Sequence, residues 1–238
     1  SQTIGIDFDT DIIQASVRLA KGVVGETVAI AGSVAFTKAG QKTVTLTDGS
    51  VTTVNTLTLG GSNINAFVGY GAVSGTASLA DNAVDKTDIT DSNSIGVLLE
   101  DLDFGVALFT TTDITNPAVF GAARATATSL SMIGVPGVTA SATDIELEIN
   151  LGASVSSGLA AIDFVKSFPS EQSEDLNSNS TLDAGEDLNG NGQLDAANDA
   201  NGDGIFSPAG LSVATGDPLS PVVLDFTQAF IRIQAQAT

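Results

Sequence analysis

The chain has no cysteine, no histidine and no tryptophan, and only one tyrosine and one methionine. Without cysteine no disulfide can staple the fold, so bound ions are the remaining cross-links. Without histidine or cysteine there is no Ser-His or Cys-His nucleophile pair and no histidine-ligated zinc site. Paired carboxylates are the one catalytic device left, and Glu146 with Glu148, or Glu100 with Asp103, are the pairs to consider. Alternation along a strand makes Glu146 and Glu148 a solvent-facing row instead, and Tyr70 alone is no sugar-stacking platform. An enzyme is therefore not expected.

Basic residues are also scarce, 8 Lys and Arg against 28 Asp and Glu, for a net charge of −20. That balance excludes nucleic acid and anionic membrane surfaces as partners. No apolar run of about eighteen residues, signal peptide or lipidation motif is visible, so the expectation is a soluble mature chain, or an excised segment, with no membrane insertion. With 42% hydrophobic residues in 238, one large all-β domain or two small ones can be packed.

What the chain has in plenty is β-forming alternation. It runs through Ile4–Phe8, Ala15–Leu19, Val28–Thr37, Thr43–Thr47 and Val51–Gly60, with Asp48-Gly49 as a hairpin turn. Gly60-Gly61 reads as the turn before a strand at Asn63–Tyr70. Asp81, Asp85, Asp88 and Asp91 crowd a solvated loop, and Ile95–Thr111 forms one or two core strands with a bend or bulge at Glu100, Asp101 and Asp103. Ala122–Gly134 and Thr139–Asn150 are strands joined across Val-Pro-Gly, which suits a hairpin or a solenoid corner. Leu159–Phe168 and the closing segment from Pro221 read as strands, and no helix of ordinary length is expected. Asp-Phe recurs at Asp7-Phe8, Asp103-Phe104, Asp163-Phe164 and Asp225-Phe226, with each Phe expected in the core and each Asp on the opposite face.

One stretch has spacing that dictates a chemistry, EDLNSNSTLDAGEDLNGNGQLDAANDANGDGIF from Glu174 to Phe206. Asp175, Asp187 and Asp199 recur every twelve residues, each followed by donors at the third and fifth positions: Asn177 and Asn179, Asn189 and Asn191, Asn201 and Asp203. Calcium takes six to eight oxygens at ~2.3–2.6 Å, and a tightly wound loop supplies them from alternate residues. The seventh position gives a backbone carbonyl, from Thr181, Gln193 or Ile205, and the ninth gives Asp183, Asp195 or Ser207. The twelfth position should be a bidentate carboxylate, and only the first block has one, Glu186; Asn198 and Gly210 stand there in the others. Gly192 and Gly204 fill the sixth position, where the loop turns sharply, and Ser180 departs from that rule. Two to three Ca²⁺ ions are expected. The blocks abut, so the helices of an EF-hand or a dockerin have no room. The run resembles the helix-free calcium repeats of thrombospondin type 3 and of bacterial surface-protein stalks. The bland alternative is a disordered acidic linker.

The two ends of the chain also match each other. Sliding Ile4–Ala20 over Val222–Thr238, an offset of 218 residues, pairs Asp7 with Asp225, Phe8 with Phe226 and Ile13 with Ile231 without a gap. Together with TVTLTDGS, LTLGGSNINAFVG, LLEDLDFGVALF and SMIGVPGVTASATDIELEIN, this order resembles the tandem β repeats of giant secreted bacterial surface proteins. The resemblance implies one repeat plus the first strand of the next, in an extracellular adhesin-like fibre on a bacterial cell surface. The expected organisation is a β body at 1–168, a calcium run at 169–210 and a closing strand at 211–238 shared with, or donated to, the next copy. The expected fold is all-β, an antiparallel sandwich or flattened barrel with a calcium-binding loop insertion, with a β-solenoid as alternative. The expected function is a calcium-stabilised structural module assembling head-to-tail with copies of itself. The alternative is a calcium-dependent adhesin or lectin-like module gripping a glycan or surface ligand.

Overall fold

A computed structural model describes residues 13–25, 27–72, 87, 89–154, 160–171, 173, 175, 179–187, 194 and 208–237, leaving aside the side chains of 19–21 and 154. Six long strands follow one another: β1 (Ile13–Val24), β2 (Val28–Thr45), β3 (Val51–Ala72), β4 (Thr90–Thr111), β5 (Ala118–Ile133) and β6 (Ser141–Ser154). A one-turn helix α1 (Phe164–Ser167) comes next, then short strands β7 (Leu211–Val213) and β8 (Val222–Leu224), and finally β9 (Phe230–Ala237). The large sheet has the order β1-β2-β3-β4-β5-β6-β9, antiparallel throughout, and β7 and β8 form a separate pair. The all-β antiparallel class is thus the one expected. β1 and β9 end the sheet at opposite edges, so it is not closed into a barrel.

The hairpin chemistry is local and legible. At Asp48-Gly49 the Asp48 carboxylate accepts from the Ser50 N–H and hydroxyl, which together hold its pKa below the usual value, while Gly49 turns at φ +84°. Val-Pro-Gly joins β5 to β6 as a hairpin, with Gly134 and Gly137 at φ +69° and +75°. The pair Gly60-Gly61 is not a turn, because it lies inside the continuous β3. A Cβ on Gly60 would stand 2.3 Å from the Ala214 carbonyl oxygen, so glycine is needed there for close approach of the covering layer.

The strands are long because single-residue bulges carry them across a bend. β3, β4 and β6 each hold a non-glycine residue with positive φ, namely Asn63 (49°), Asp101 (56°) and Asp144 (50°), and the pairing shifts beside each. β3 and β4 carry their bulges side by side and β6 carries its own across the unshifted β5, so the three form a line across the sheet. The expected irregularity at Glu100–Asp103 is part of that line.

One face of the sheet holds the core. Val44, Val54, Ala107, Phe109, Phe120 and Ala122 meet Ile162, Phe164, Val213, Leu224 and Phe226, all buried. Phe164 stands at the centre, with ring centroids 5.8 Å from Phe109, 5.9 Å from Phe168 and 6.0 Å from Phe226. A second cluster joins Ala29, Ala31, Phe67, Ala72, Ile89 and Leu98. Residues 211–226 therefore belong to the body's core, not to a separate closing strand. The strand expected at Leu159–Phe168 is not formed over Ala160–Phe168, the part described, where Asp163 accepts from the Lys166 N–H and caps α1. Phe164 is in the core as expected of the Asp-Phe pairs, and so is Phe226 beside an exposed Asp225. Two pairs depart from that expectation: Asp163 is buried at the cap instead of lying on an opposite face, and Asp103-Phe104 is reversed, with Phe104 on the sheet face away from the core and Asp103 on the side of Ala107 and Phe109. Asp7-Phe8 lies outside the described residues.

The opposite face is apolar. Pairing aligns Phe36, Leu59, Val106, Ala123, Ile149 and Ile231 in one row from β2 to β9, and Val34, Gly61, Phe104, Ala125, Leu147 and Ile233 in the next. Leu59, Ile231 and Ile233 are 44, 60 and 72% exposed.

Candidate functional site

The run expected to bind calcium starts and ends at one point. The Gly210 N–H donates to the Phe168 carbonyl at 2.8 Å, so residues 169–209 are an excursion with pinned ends. The pin is fixed from below. The Phe164 N–H donates to the Phe226 carbonyl at 2.8 Å. On β6, Asn150 donates its Nδ2 to the carbonyls of Ile162 and Gln228, each at 2.8 Å, and is 1% exposed. Both roots of the excursion are thereby tied to the large sheet.

Within the first block, Asp175 accepts from the N–H groups of Asn179 and Ser180, each at 2.9 Å. Those are the fifth and sixth positions counted from it. Ser180 takes φ +61°, a left-handed conformation that glycine adopts at no steric cost. Asn179 accepts from the Thr181 N–H at 2.7 Å and donates to the Asp183 carboxylate at 2.7 Å. Glu186, at the twelfth position, is buried and accepts from the Asp183 N–H at 2.9 Å. Hydrogen bonds thus link Asp175 to Asn179, Asn179 to Asp183 and Asp183 to Glu186. Among the described residues no three acidic side chains gather closely enough to form a metal group. Asn177, Asn189, Asn191, Gln193, Asp195, Asn198, Asp199, Asn201, Asp203 and Ile205 lie outside the described residues, and of the second block's ligands only Asp187 is inside them.

A second acidic place was not read as a site from the sequence. At the line of bulges a cavity of about 340 Å³ is lined by Asp101, Asp103, Thr128, Asp144 and Glu146 among others. Thr128 donates to Asp101 at 3.0 Å, and the Asn63 N–H donates to Asp103 at 2.8 Å. Burial pushes the Asp103 carboxyl up, against the Asn63 N–H that lowers it, and the Asp101 charge adds to the rise.

The row of Glu146 and Glu148 is not solvent-facing. Glu148 is 3% exposed and bonded on both sides, to Arg124 on β5 at 2.9 Å and to Arg232 on β9. Arg124 also pairs with Asp225 at 2.6 Å, donates to the Val223 carbonyl and lies 4.9 Å over the Phe226 ring. Arg232 reaches Glu146 at 3.2 Å. Glu148 is buried between arginines of the two neighbouring strands, while Glu146 stays a third exposed, a difference that alternation alone does not reveal.

Of the two matched end segments, the described part of the first, from Ile13, lies in β1, and the last part of the second lies in β9, at opposite edges of the large sheet, while Ile4 to Ile12 lie outside the described residues. Six antiparallel steps separate β1 from β9, so the two run in the same direction. Ala15 pairs with Phe36, at the β1 end of the row that finishes at Ile231. Ile13 and its match Ile231 therefore point to the same face.

Comparison with known proteins finds no matching family model, no matching curated protein and no matching solved structure.

Proposed function

We propose that the chain is one unit of an extracellular structural array on a bacterial surface, in which β9 of one unit serves as the first strand of the next. The carrying observation is the placement of β1 and β9, the strands reached by the matched end segments, with Ile13 matched to Ile231: they stand at opposite edges, run in parallel and present these residues on the same face. A unit repeated by translation would bring β9 against the next β1 in parallel, whereas every neighbour pair in this sheet is antiparallel. Overlap removes the mismatch, because β9 in the position of β1 meets the next β2 antiparallel. In a tandem chain the two are one strand. Between separate chains β9 takes the place of β1, and main-chain hydrogen bonds join the copies into an open series.

The calcium run is the second part of the proposal. An excursion of this length, pinned at Phe168 and Gly210, is held in one shape by ions bound at Asp175, Asn179, Asp183 and Glu186 and at the later blocks. Weak extracellular sites, with Kd of about 10⁻⁴–10⁻³ M, suit a location where calcium is abundant. Calcium a hundredfold above Kd is expected to stabilise the chain by about 2.7 kcal/mol per site. The melting midpoint should then rise by roughly 5–10 °C. Asp175→Ala should remove most of the first site's share. An unchanged midpoint on adding chelator would sink the calcium part and leave the strand-sharing part standing.

Strand sharing has its own test in register. Ile13 pairs with Lys38 and Ala15 with Phe36, so Ile231 of one unit should face Lys38 of the next. Within one chain these two positions lie five strands apart, roughly 24 Å, too far for a disulfide. The chain has no cysteine of its own. Oxidising the doubly substituted Lys38→Cys, Ile231→Cys protein should give a ladder of covalent oligomers, each single variant giving none. No ladder from the double variant means that strand sharing is wrong.

A further inference from the structure

The sheet face opposite the core is the largest feature that neither calcium nor strand sharing uses. From the row of Val28, Val68, Val97 and Met132 to the row of Lys38, Leu57, Leu108 and Gly121, Lys38 is the one charged residue in the paired rows of this face. The chain as a whole carries a net charge of −20, so its acids are directed elsewhere. Antiparallel sheets with a solvated face carry polar residues on it. This one does not.

We propose that this face docks the same face of a second copy, so that two units with one large sheet each make a two-layer sandwich. This goes beyond strand sharing, which joins edges, and does not depend on it. Size is the first argument. Five strands at ~4.8 Å by about eleven residues at ~3.3 Å give roughly 900 Å² per copy. A stable interface buries about 800 Å² per partner, whereas the largest apolar patch on an ordinary monomer is about 300–600 Å². Charge is the second argument. Two copies brought together through the face that is nearly free of charge keep their acidic surfaces apart.

Shape is the third argument. On β5 the face carries Gly121, Ala123 and Ala125, a valley between larger side chains on β4 and β6. Leu108 leans over it, its Cδ2 3.6 Å from where a Gly121 Cβ would be. A partner turned by a two-fold axis lying between the sheets lays its Leu59 and Leu108 ridge into this valley and offers its own valley in return. A membrane surface is the poorer match, since apolar faces that rest on lipid are rimmed by basic and aromatic anchors. This chain has no tryptophan, one tyrosine and 8 basic residues.

The test is sedimentation of the full chain together with cross-linking. Wild type should contain a paired species of twice its 23.9 kDa mass. Leu59→Glu with Leu108→Glu should abolish pairing, and because both side chains are already half exposed, the unfolding midpoint of the single unit should stay near its wild-type value. Ala123→Cys should be joined to its mate by a short bismaleimide much faster than Asn116→Cys, an exposed loop position. Copies sharing a strand hold their Ala123 residues a full unit apart, roughly 29 Å, so this cross-link reports face pairing and not edge joining. Equal cross-linking rates, or pairing that survives both glutamates, overturn the proposal. So does a monomer that instead takes up phosphatidylcholine vesicles, which would assign the face to hydrocarbon.

Discussion

Asn150→Asp is expected to bring the chain close to unfolding at pH 7. The change is isosteric, so packing stays the same and the effect is one of hydrogen bonding and charge. Asn150 donates to two carbonyls, Ile162 and Gln228, and a carboxylate can donate to neither. Two buried acceptors left without partners cost about 1–3 kcal/mol each. Burying the new charge adds to this, for a loss of about 4–6 kcal/mol against a total domain stability of about 5–15 kcal/mol. The sign of the pH dependence follows. Burial against two carbonyl oxygens raises the folded pKa of the new carboxyl above its unfolded value of about 3.9. The neutral form is then the one the folded state prefers, so stability is highest below the unfolded pKa and falls as pH rises through the folded one. Urea unfolding at pH 4.5 and at pH 7 should show the variant regaining stability at the lower pH relative to wild type. Asn150→Ala, which adds no charge, should be destabilised without that dependence. Equal losses at both pH values would mean that the carboxyl reaches solvent and that the root of the excursion is open.

The sequence reading succeeded where one residue type has one backbone use. Asp48-Gly49 and the glycine of Val-Pro-Gly are turns because few residues other than glycine take positive φ easily, and both are turns in the structure. It failed at Gly60-Gly61, because glycine serves close approach as well as turning, and only the fold brings the Ala214 carbonyl onto that spot. It broke β2 and β3 into pieces for a related reason. Each bulge shifts the alternation by one residue, and the phase slip reads as a boundary. Ile89 was lost in the loop of Asp81–Asp91, although it is fully buried against the second cluster. A single apolar residue among acids carries no periodicity.

The candidate site divides along the same line. Donor spacing is local, so a turn at Asp175 was legible, and Ser180, which departs from the glycine expected there, takes a left-handed backbone. What the run is attached to was not legible. Phe168 and Gly210 meet through a hydrogen bond, which converts an assumed joint between body and closing strand into a loop rooted on the body. Under the proposal, ions would stiffen such a loop without altering the direction in which β9 leaves. The course of β9 is set by its pairing with β6 and by the charged residues across it.

Those residues make Arg124→Ala the other variant with a large expected effect. Arg124 joins three layers of the argument: it bonds buried Glu148 on β6, holds Val223 and Asp225 of the covering segment, and stacks on Phe226. Removing one partner of a buried pair costs about 3–5 kcal/mol, because the other charge is left behind. Two facts reduce that figure here. Arg232 still reaches Glu148 from β9, and the Arg124 side chain is about a quarter exposed. A loss of about 3 kcal/mol by urea unfolding is expected. Arg124→Lys should recover only part of it, since an ammonium cannot fork between Glu148 and the Val223 carbonyl or lie flat on the Phe226 ring. Arg18→Ala is the control, because its pair with Asp217 is long, at 3.9 Å, and largely exposed, and such pairs contribute about 0–1 kcal/mol. Hydrogen exchange locates the effect. In Arg124→Ala the amides of residues 211–226 should lose protection before those of β3 and β4, because the covering segment loses its clamp while the central strands keep their ladders. A uniform loss of protection would place Arg124 in the global core and not at the hold between sheet and cover.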